Sequence, residues 1–154
     1  MFRLGKMSEA NLVGVKPALA SVVRLAITLT EQDFGVFEGL RSAERQRKLF
    51  DSGASRTLNS YHLTGEAVDL VPYVDGRLQW QMPLCNKIAV AMRDAGERLG
   101  VKLVWGRIWD RSLGDLVPGR LEAARAAYVE RYQRLNGPER YPLDDGPHFQ
   151  LVRT

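Results

Sequence analysis

The chain has 154 residues, a length that suits about one domain with its own hydrophobic core. Its single cysteine, Cys85, excludes an internal disulfide and a zinc site built from cysteines. We find neither an apolar run long enough to span a bilayer nor the apolar region of a secretory signal, so we expect no membrane insertion.

The first predicted element is a long amphipathic helix. Apolar residues recur at helical spacing over residues 9–29, with Ser8 as the expected N-cap. Pro17 lies inside this range and predicts a kink or a later start. The alternating, aromatic-rich residues 34–40 then predict a short strand.

Helices and short strands continue to mix along the rest of the chain. The predicted elements are a helix at 42–53 that is capped by Ser42 and ended by Gly53, a strand at 66–74 followed by the turn Asp75-Gly76, a helix from about 84 to 99 closed by Gly100, a strand at 101–106, a helix at 119–136 and a last strand at 148–152. Because no regular crossover pattern connects the strands, the fold class predicted is α+β, in one compact domain covering 1–154.

Basic residues are spread over two regions, Arg41 to Lys48 and Arg120 to Arg140. The net charge of +4 permits attraction to nucleic acid or to an anionic cell wall but requires neither. Neither region interleaves aromatic residues as single-strand binders do, so we interpret both as solvated helix faces and expect no nucleic-acid partner. The apolar stripe predicted for the last helix consists of Leu121, Ala124, Tyr128, Tyr132 and Leu135.

Both histidines of the chain lie in polar, glycine-marked segments. His62 precedes Asp69 by seven residues in SYHLTGEAVD, and the glycine between them allows a tight turn that brings the two side chains together. His148 opens the last strand in DDGPHFQL, three residues after Asp145.

Two imidazoles and one carboxylate form a common ligand set for catalytic zinc, which leaves a fourth position for water. A further carboxylate must then accept a proton from that water; Asp145 is placed for this role, with Asp144 as its nearest competitor. Polar loop histidines are often merely solvated, so the residues alone leave both interpretations open.

The same segments resemble a known family. SYHLTGEAVD matches the S-x-H-x-x-G-x-A-x-D pattern of the LAS-type zinc peptidases, which include D-Ala-D-Ala carboxypeptidases, dipeptidases and phage endolysins, and DGPHFQL resembles their second signature. The resemblance is closest to the phage L-alanyl-D-glutamate endopeptidases. It covers nearly the whole chain except a helical segment at about 110–142, which we interpret as an insertion, either a lid or wall-binding element or plain packing.

This resemblance implies zinc bound by His62, Asp69 and His148. It also implies that Asp145 is the general base, in keeping with the endopeptidase branch. Arg41 matches the family arginine that polarises the scissile carbonyl; the alternative is an ordinary salt bridge. Ser60 either donates to substrate or satisfies the loop backbone.

The chain departs from the family where many relatives have WGGDW. Here the sequence is WGRIWD, which puts a role for Asp110 in doubt. Trp105 and Trp109 are expected in the cleft wall or the core rather than as ligands. Cys85 is expected to be a small buried hydrophobic residue.

The resemblance therefore implies a phage endolysin, a zinc-dependent endopeptidase that cuts the L-Ala–D-Glu bond of the peptidoglycan stem peptide, and we expect it to be a monomer. Without a secretory signal, we expect it to accumulate in the host cytoplasm and to reach the wall after holin-type release. The alternatives are a D,D-carboxypeptidase or D-Ala-D-Ala dipeptidase of the same fold, or a non-catalytic wall-binding module.

Overall fold

The computed structural model describes residues 1–153. Thr154, the last residue of the predicted domain, lies outside them. In chain order, the helices and strands in this range are α1 (Lys6–Asn11), α2 (Pro17–Leu29), β1 (Phe34–Glu38), α3 (Ala43–Asp51), β2 (Ala67–Val74), β3 (Arg77–Leu78), α4 (Met82–Leu99), β4 (Leu103–Trp105), α5 (Leu121–Asn136) and β5 (His148–Leu151). Single 3-10 turns occur at Tyr61–Thr64 and Leu113–Asp115.

The strands form one antiparallel sheet in the order β1-β2-β5-β4, with β3 added to the far end of β2. Helices α2 and α4 pack against each other and, with the sheet, enclose the core. This arrangement confirms the predicted α+β class. Side chains that are fully buried there include Val22, Val23, Leu70, Ile88, Met92, Trp105 and Phe149, and burying each large apolar side chain contributes about 1.5–3 kcal/mol.

Strand register brings polar residues into one row at the edge of this core. Glu38 of β1 pairs with Asp69 of β2, and Asp69 pairs with His148 of β5. Directly paired residues on antiparallel strands have their Cβ atoms about 4.5–5.5 Å apart. The sheet itself therefore positions a carboxylate beside a histidine that is distant in sequence.

The predicted helix over residues 9–29 is wrong in its first half. The chain forms two helices, and the second begins at Pro17, the later start that proline allowed. Proline has no N–H to donate within a helix and is favoured at the first helical position, so the break falls there. Ser8 is not a cap either; it lies within α1, and its hydroxyl accepts a hydrogen bond from the N–H of Val36 at 2.9 Å.

The other predicted helices are confirmed with small changes of boundary. Ser42 caps α3 by accepting from the N–H of Arg45 at 3.1 Å, and Gly100 ends α4 in the left-handed conformation. The prediction that Leu135 belongs to the apolar stripe of α5 is wrong, because this residue is almost fully exposed near the end of the helix. Among residues 1–153, no helix has the length and apolar character needed to cross a membrane.

Candidate metal centre

His62 lies in the 3-10 turn between α3 and β2, where its side chain is only 2% exposed. Ser60 caps this turn through its hydroxyl oxygen, which accepts from the N–H of His62 at 3.2 Å. Gly65 ends the turn at φ +73°, and a Cβ there would lie 2.3 Å from the carbonyl oxygen of Gly14. The motif glycine is thus required both for backbone conformation and for close packing.

Three ligand atoms converge at this end of the sheet. Asp69 Oδ1 lies 3.3 Å from His62 Nε2 and 3.3 Å from His148 Nδ1. All three atoms lie within 4.8 Å of one another. The structure therefore brings together the three residues predicted as metal ligands.

The second nitrogen of each imidazole is held by an acceptor. His62 Nδ1 donates to the carbonyl oxygen of Gly39 at 2.8 Å, and His148 Nε2 donates to Oε1 of Gln150 at 2.8 Å. In the neutral rings, the remaining nitrogens then direct lone pairs toward Asp69 Oδ1, which also carries lone pairs. Three atoms whose lone pairs point toward one another repel unless a cation lies between them. Two imidazoles and one carboxylate are a common ligand set for zinc.

Burial and charge shift the pKa values of Asp69 and His148. Burial opposes ionisation of Asp69, but hydrogen bonds and charge from His148 and His62 outweigh it and hold its pKa well below the usual range. Burial alone would lower the pKa of His148; the hydrogen bond and charge of Asp69 reverse this and raise it. The site thus favours a carboxylate anion next to positive charge, whether from protons or from a metal ion.

Asp145 lies in the loop before β5 and lines the same cleft as the three ligands. Burial raises its pKa, and the nearby negative charge of Asp69 raises it further. Asp144 instead forms an ion pair with Arg107 at 2.8 Å. Of the two candidates for general base, Asp145 is the one that faces the metal site.

Arg41 is held in place by three hydrogen bonds. Its guanidinium donates to both carboxylate oxygens of Glu38, at 2.7 and 3.0 Å, and to Oε1 of Gln46 at 2.7 Å. Its Nη2 also lies 3.7 Å from Asp69 Oδ2. Arg41 therefore makes the salt bridge that we considered as the alternative, and at the same time lies beside the predicted metal site.

The ligands lie in a cleft of about 820 Å³. Trp109 forms one wall, with its ring centroid 5.2 Å from that of His148. Phe37 and Trp80 line the same cleft as an exposed edge-to-face pair with centroids 5.5 Å apart. The cleft is therefore large enough for a peptide and partly aromatic.

Three other residues considered in the sequence, Trp105, Cys85 and Asp110, lie in the core or in ion pairs rather than in the metal site. Trp105 is fully buried in the core, and its indole N–H donates to the carbonyl oxygen of Gly146 at 2.8 Å. Cys85 is buried as expected, and burial raises the pKa of its thiol to about 11. Asp110 pairs with Arg131 of α5 through two bonds of 2.7 and 2.8 Å, away from the metal ligands.

Sequence reasoning missed the residues that support the site. Gln46 is only 1% exposed and ties Arg41 to the loop before His62 through Ser55 and Thr57. Gln150 holds His148. A signal existed for Gln46, which shares the buried face of α3 with Leu49 at helical spacing.

Comparisons with known proteins find one family model, two similar sequences and a similar solved structure. The family model described as phage L-alanyl-D-glutamate peptidase matches residues 1–120. The L-alanyl-D-glutamate peptidase of Escherichia phage T5 is 36% identical over 118 residues, covering 74% of this chain and 85% of that protein. The corresponding peptidase of Listeria phage A118 is 40% identical over 45 residues, 29% of this chain and 16% of that protein. The crystal structure of the Serratia marcescens L-Ala D-Glu endopeptidase ChiX superposes with a TM-score of 0.73 at 37% identity, covering 98% of this chain and 90% of that one.

Proposed function

Because this chain belongs to the phage L-alanyl-D-glutamate peptidase family, we propose that it is a zinc-dependent endopeptidase that hydrolyses the L-Ala–D-Glu bond of the peptidoglycan stem peptide. The observation that carries this proposal is the convergence of His62, Asp69 and His148 in one cleft with Asp145 and Arg41. The cleft thereby contains a candidate for each role that the reaction requires: metal ligands, base and oxyanion donor.

His62 Nε2, Asp69 Oδ1 and His148 Nδ1 would hold the ion. Zinc in such a site supplies Lewis acidity and lowers the pKa of a bound water towards neutral pH. Gly39 and Gln150 fix the ring orientations through the opposite nitrogens, as acceptors behind metal-bound histidines commonly do.

Asp145 would accept the proton of the attacking water and pass it to the amine of the leaving D-Glu. A general base works best when its pKa approaches the working pH, and burial raises the pKa of Asp145 in that direction. The carboxylate also lies in the cleft rather than on the surface. These properties support Asp145 over Asp144 as the base.

Arg41 would stabilise the oxyanion that develops on the scissile carbonyl. Its three hydrogen bonds to Glu38 and Gln46 use three of the five guanidinium N–H groups, so two remain for substrate. A donor whose orientation is already fixed pays little reorganisation cost during the reaction. Ser60 accepts from the N–H of His62, and its own hydroxyl proton remains available to substrate.

The whole chain would act as one monomeric peptidase domain, with the segment of about 110–142 as an insertion. The enzyme would reach the wall after holin-type release from the host cytoplasm. Its positive charge would help the enzyme adhere to the anionic wall, so added salt should weaken adsorption to purified wall.

The test is metal analysis together with digestion of purified peptidoglycan by the wild type and by Asp145→Ala. We expect zinc in both proteins and hydrolysis only in the wild type. A new amino group on D-Glu supports the proposed bond, whereas release of free D-Ala would indicate the carboxypeptidase or dipeptidase instead. Near-normal turnover by Asp145→Ala would contradict the mechanism.

A further inference from the structure

The loop of residues 142–147, which we call the Asp145 loop, joins the region after α5 to β5 without regular secondary structure. Its second half is tied to the sheet: the N–H of Asp145 donates to the carbonyl oxygen of Gly106 at 2.9 Å, and the N–H of Leu70 donates to that of Pro147 at 2.9 Å. Its first half depends on side chains from elsewhere. Two of these are buried arginines.

Arg125 reaches the Asp145 loop from α5. Its guanidinium donates to the carbonyl oxygens of Pro142 at 3.1 Å, Leu143 at 3.2 Å and Arg107 at 2.8 Å. The residue is only 9% exposed. A buried guanidinium requires such acceptors, so the helix and the loop backbone are held at a fixed separation.

Arg107 also contacts the Asp145 loop, through the side chain of Asp144. It is 5% exposed and pairs with the Asp144 carboxylate through two N–O contacts of 2.8 and 3.3 Å. The same guanidinium bonds Glu122 of α5, and Asn86 of α4 at 3.0 Å. Asp144 is therefore joined to two helices, and the residue after it is Asp145.

Neither arginine lines the cleft. They therefore make no direct contact with the cleft, but they bond Leu143 and Asp144, the two loop residues just before Asp145. A general base must lie within hydrogen-bond reach of the water that it deprotonates, and a displacement of about 1 Å can cost about 100-fold in rate.

We propose that Arg125 and Arg107 are positioning residues that hold Asp145 in place through the Asp145 loop, with α5 as the brace. The proposal rests on the proposed function, because it requires Asp145 to be the base. It gives α5 a role in turnover in addition to the packing of Leu121 and Tyr128 in the core.

The chain offers a matched control on the same helix. Arg125 and Arg131 both lie over the ring of Tyr128, at 5.7 and 5.8 Å from its centroid. Arg131 pairs with Asp110 instead of the loop. Replacing either arginine by methionine keeps much of the apolar stem, so the pair of variants separates loop contacts from helix packing.

The experiment compares Arg125→Met with Arg131→Met in zinc content, melting temperature, kcat and KM on peptidoglycan. We expect Arg125→Met to retain zinc and to lose about 10- to 100-fold in kcat with little change in KM, and Arg125→Lys to recover part of the loss. Arg131→Met should keep its kcat within about twofold of the wild type, as expected for a surface ion pair. Deuterium uptake across residues 142–147 should rise only in Arg125→Met.

Two further measurements distinguish positioning from general stability. In an Asp145→Ala background, Arg125→Met should not lower the residual rate further, because its effect passes through Asp145. An additive loss there, or equal kcat values for folded Arg125→Met and Arg131→Met, would overturn the proposal. If Arg125→Met does not fold, Asp144→Asn replaces it under the same criteria.

Failure of the proposed function gives a different result. In that case the wild type leaves the wall intact, or Asp145→Ala turns over normally, whatever the arginine variants do. Loss of activity in Asp145→Ala combined with normal kcat in Arg125→Met would reject only the proposal that the arginines position Asp145.

Discussion

Asp69 and Arg41 face each other at the end of the sheet, with Oδ2 of the carboxylate 3.7 Å from Nη2 of the guanidinium. The other carboxylate oxygen lies 3.3 Å from both His62 and His148. One carboxylate thus joins the predicted metal ligands to the predicted oxyanion donor. Changes on either side should be separable, because the two histidines and Arg41 lie beside different oxygens of Asp69.

Arg41→Lys should retain zinc but lose turnover. Lysine keeps the positive charge, but it cannot reproduce the planar contacts with Glu38 and Gln46 that orient the guanidinium. Because removal of one oxyanion donor costs about 100- to 1000-fold in kcat, we expect a loss of that order in steady-state assays on peptidoglycan.

Arg45→Lys is the control for this variant, since Arg45 also bonds Glu38 but has a side chain that is about half exposed. Its kcat should change little. If Arg41→Lys keeps turnover within about twofold of the wild type, Arg41 serves only in the salt bridge with Glu38 and does not stabilise the oxyanion.

Gln150→Ala should weaken metal binding without removing a ligand. The side chain accepts from His148 Nε2 at 2.8 Å and thereby keeps Nδ1 directed at Asp69. Loss of such a partner typically costs about 10- to 100-fold in metal affinity, which competition with a chromogenic chelator measures. Gln81→Ala, at an exposed position, should bind zinc as the wild type does; equal affinities for the two variants would exclude this role of Gln150.

The convergence of His62, Asp69 and His148 was predictable because the three residues belong to two short motifs of the family that the sequence resembles. His62 and Asp69 lie seven residues apart around a glycine that the turn requires, and His148 begins a strand with clear alternation. The α+β class followed from elements whose caps, such as Ser42, act locally. Caps and turns depend on neighbours in the sequence and can be predicted from it, whereas the pairing of His148 with Asp69, 79 residues away, was predicted only from the family resemblance.

The supporting contacts could not be predicted, because they depend on the fold. Ser8 looked like a cap, yet it bonds Val36 across the structure. Arg125 looked like part of a solvated helix face, yet it is buried against the Asp145 loop. In both cases a polar side chain satisfies backbone groups 17 or more residues away, and local periodicity carries no information about such pairs.

Zinc affinity should fall as the solution becomes acidic, beginning above the ordinary histidine pKa. Asp69 raises the pKa of His148 in the metal-stripped protein, so this imidazole keeps its proton to a higher pH and zinc must displace it. Affinity is therefore highest above the raised pKa and declines as pH falls through it. Calorimetric titrations in buffers of different ionisation enthalpy should show proton release on binding; zinc binding without proton release near neutral pH would contradict this.

Glu38 should contribute to stability at neutral pH and lose that contribution in acid. Burial would raise its pKa, but hydrogen bonds and charge from Arg41 and Arg45 outweigh burial and lower it. Since the folded pKa lies below the unfolded value of about 4.3, the contribution is complete above that value and disappears as pH falls through the folded pKa. Glu38→Gln should therefore lower the free energy of unfolding at pH 7 by about 1–3 kcal/mol and reduce its acid dependence.

Urea unfolding of metal-stripped protein from pH 7 to pH 3 measures this effect, because removing zinc excludes any difference in metal affinity between the wild type and the variant. The difference between the two should shrink with acid. Glu44→Gln removes a carboxylate from the exposed face of α3, 3.5 Å from Lys48, and should leave the curve nearly unchanged. A constant difference between the wild type and Glu38→Gln across the whole range would mean that the ionised form of Glu38 is not what stabilises the fold.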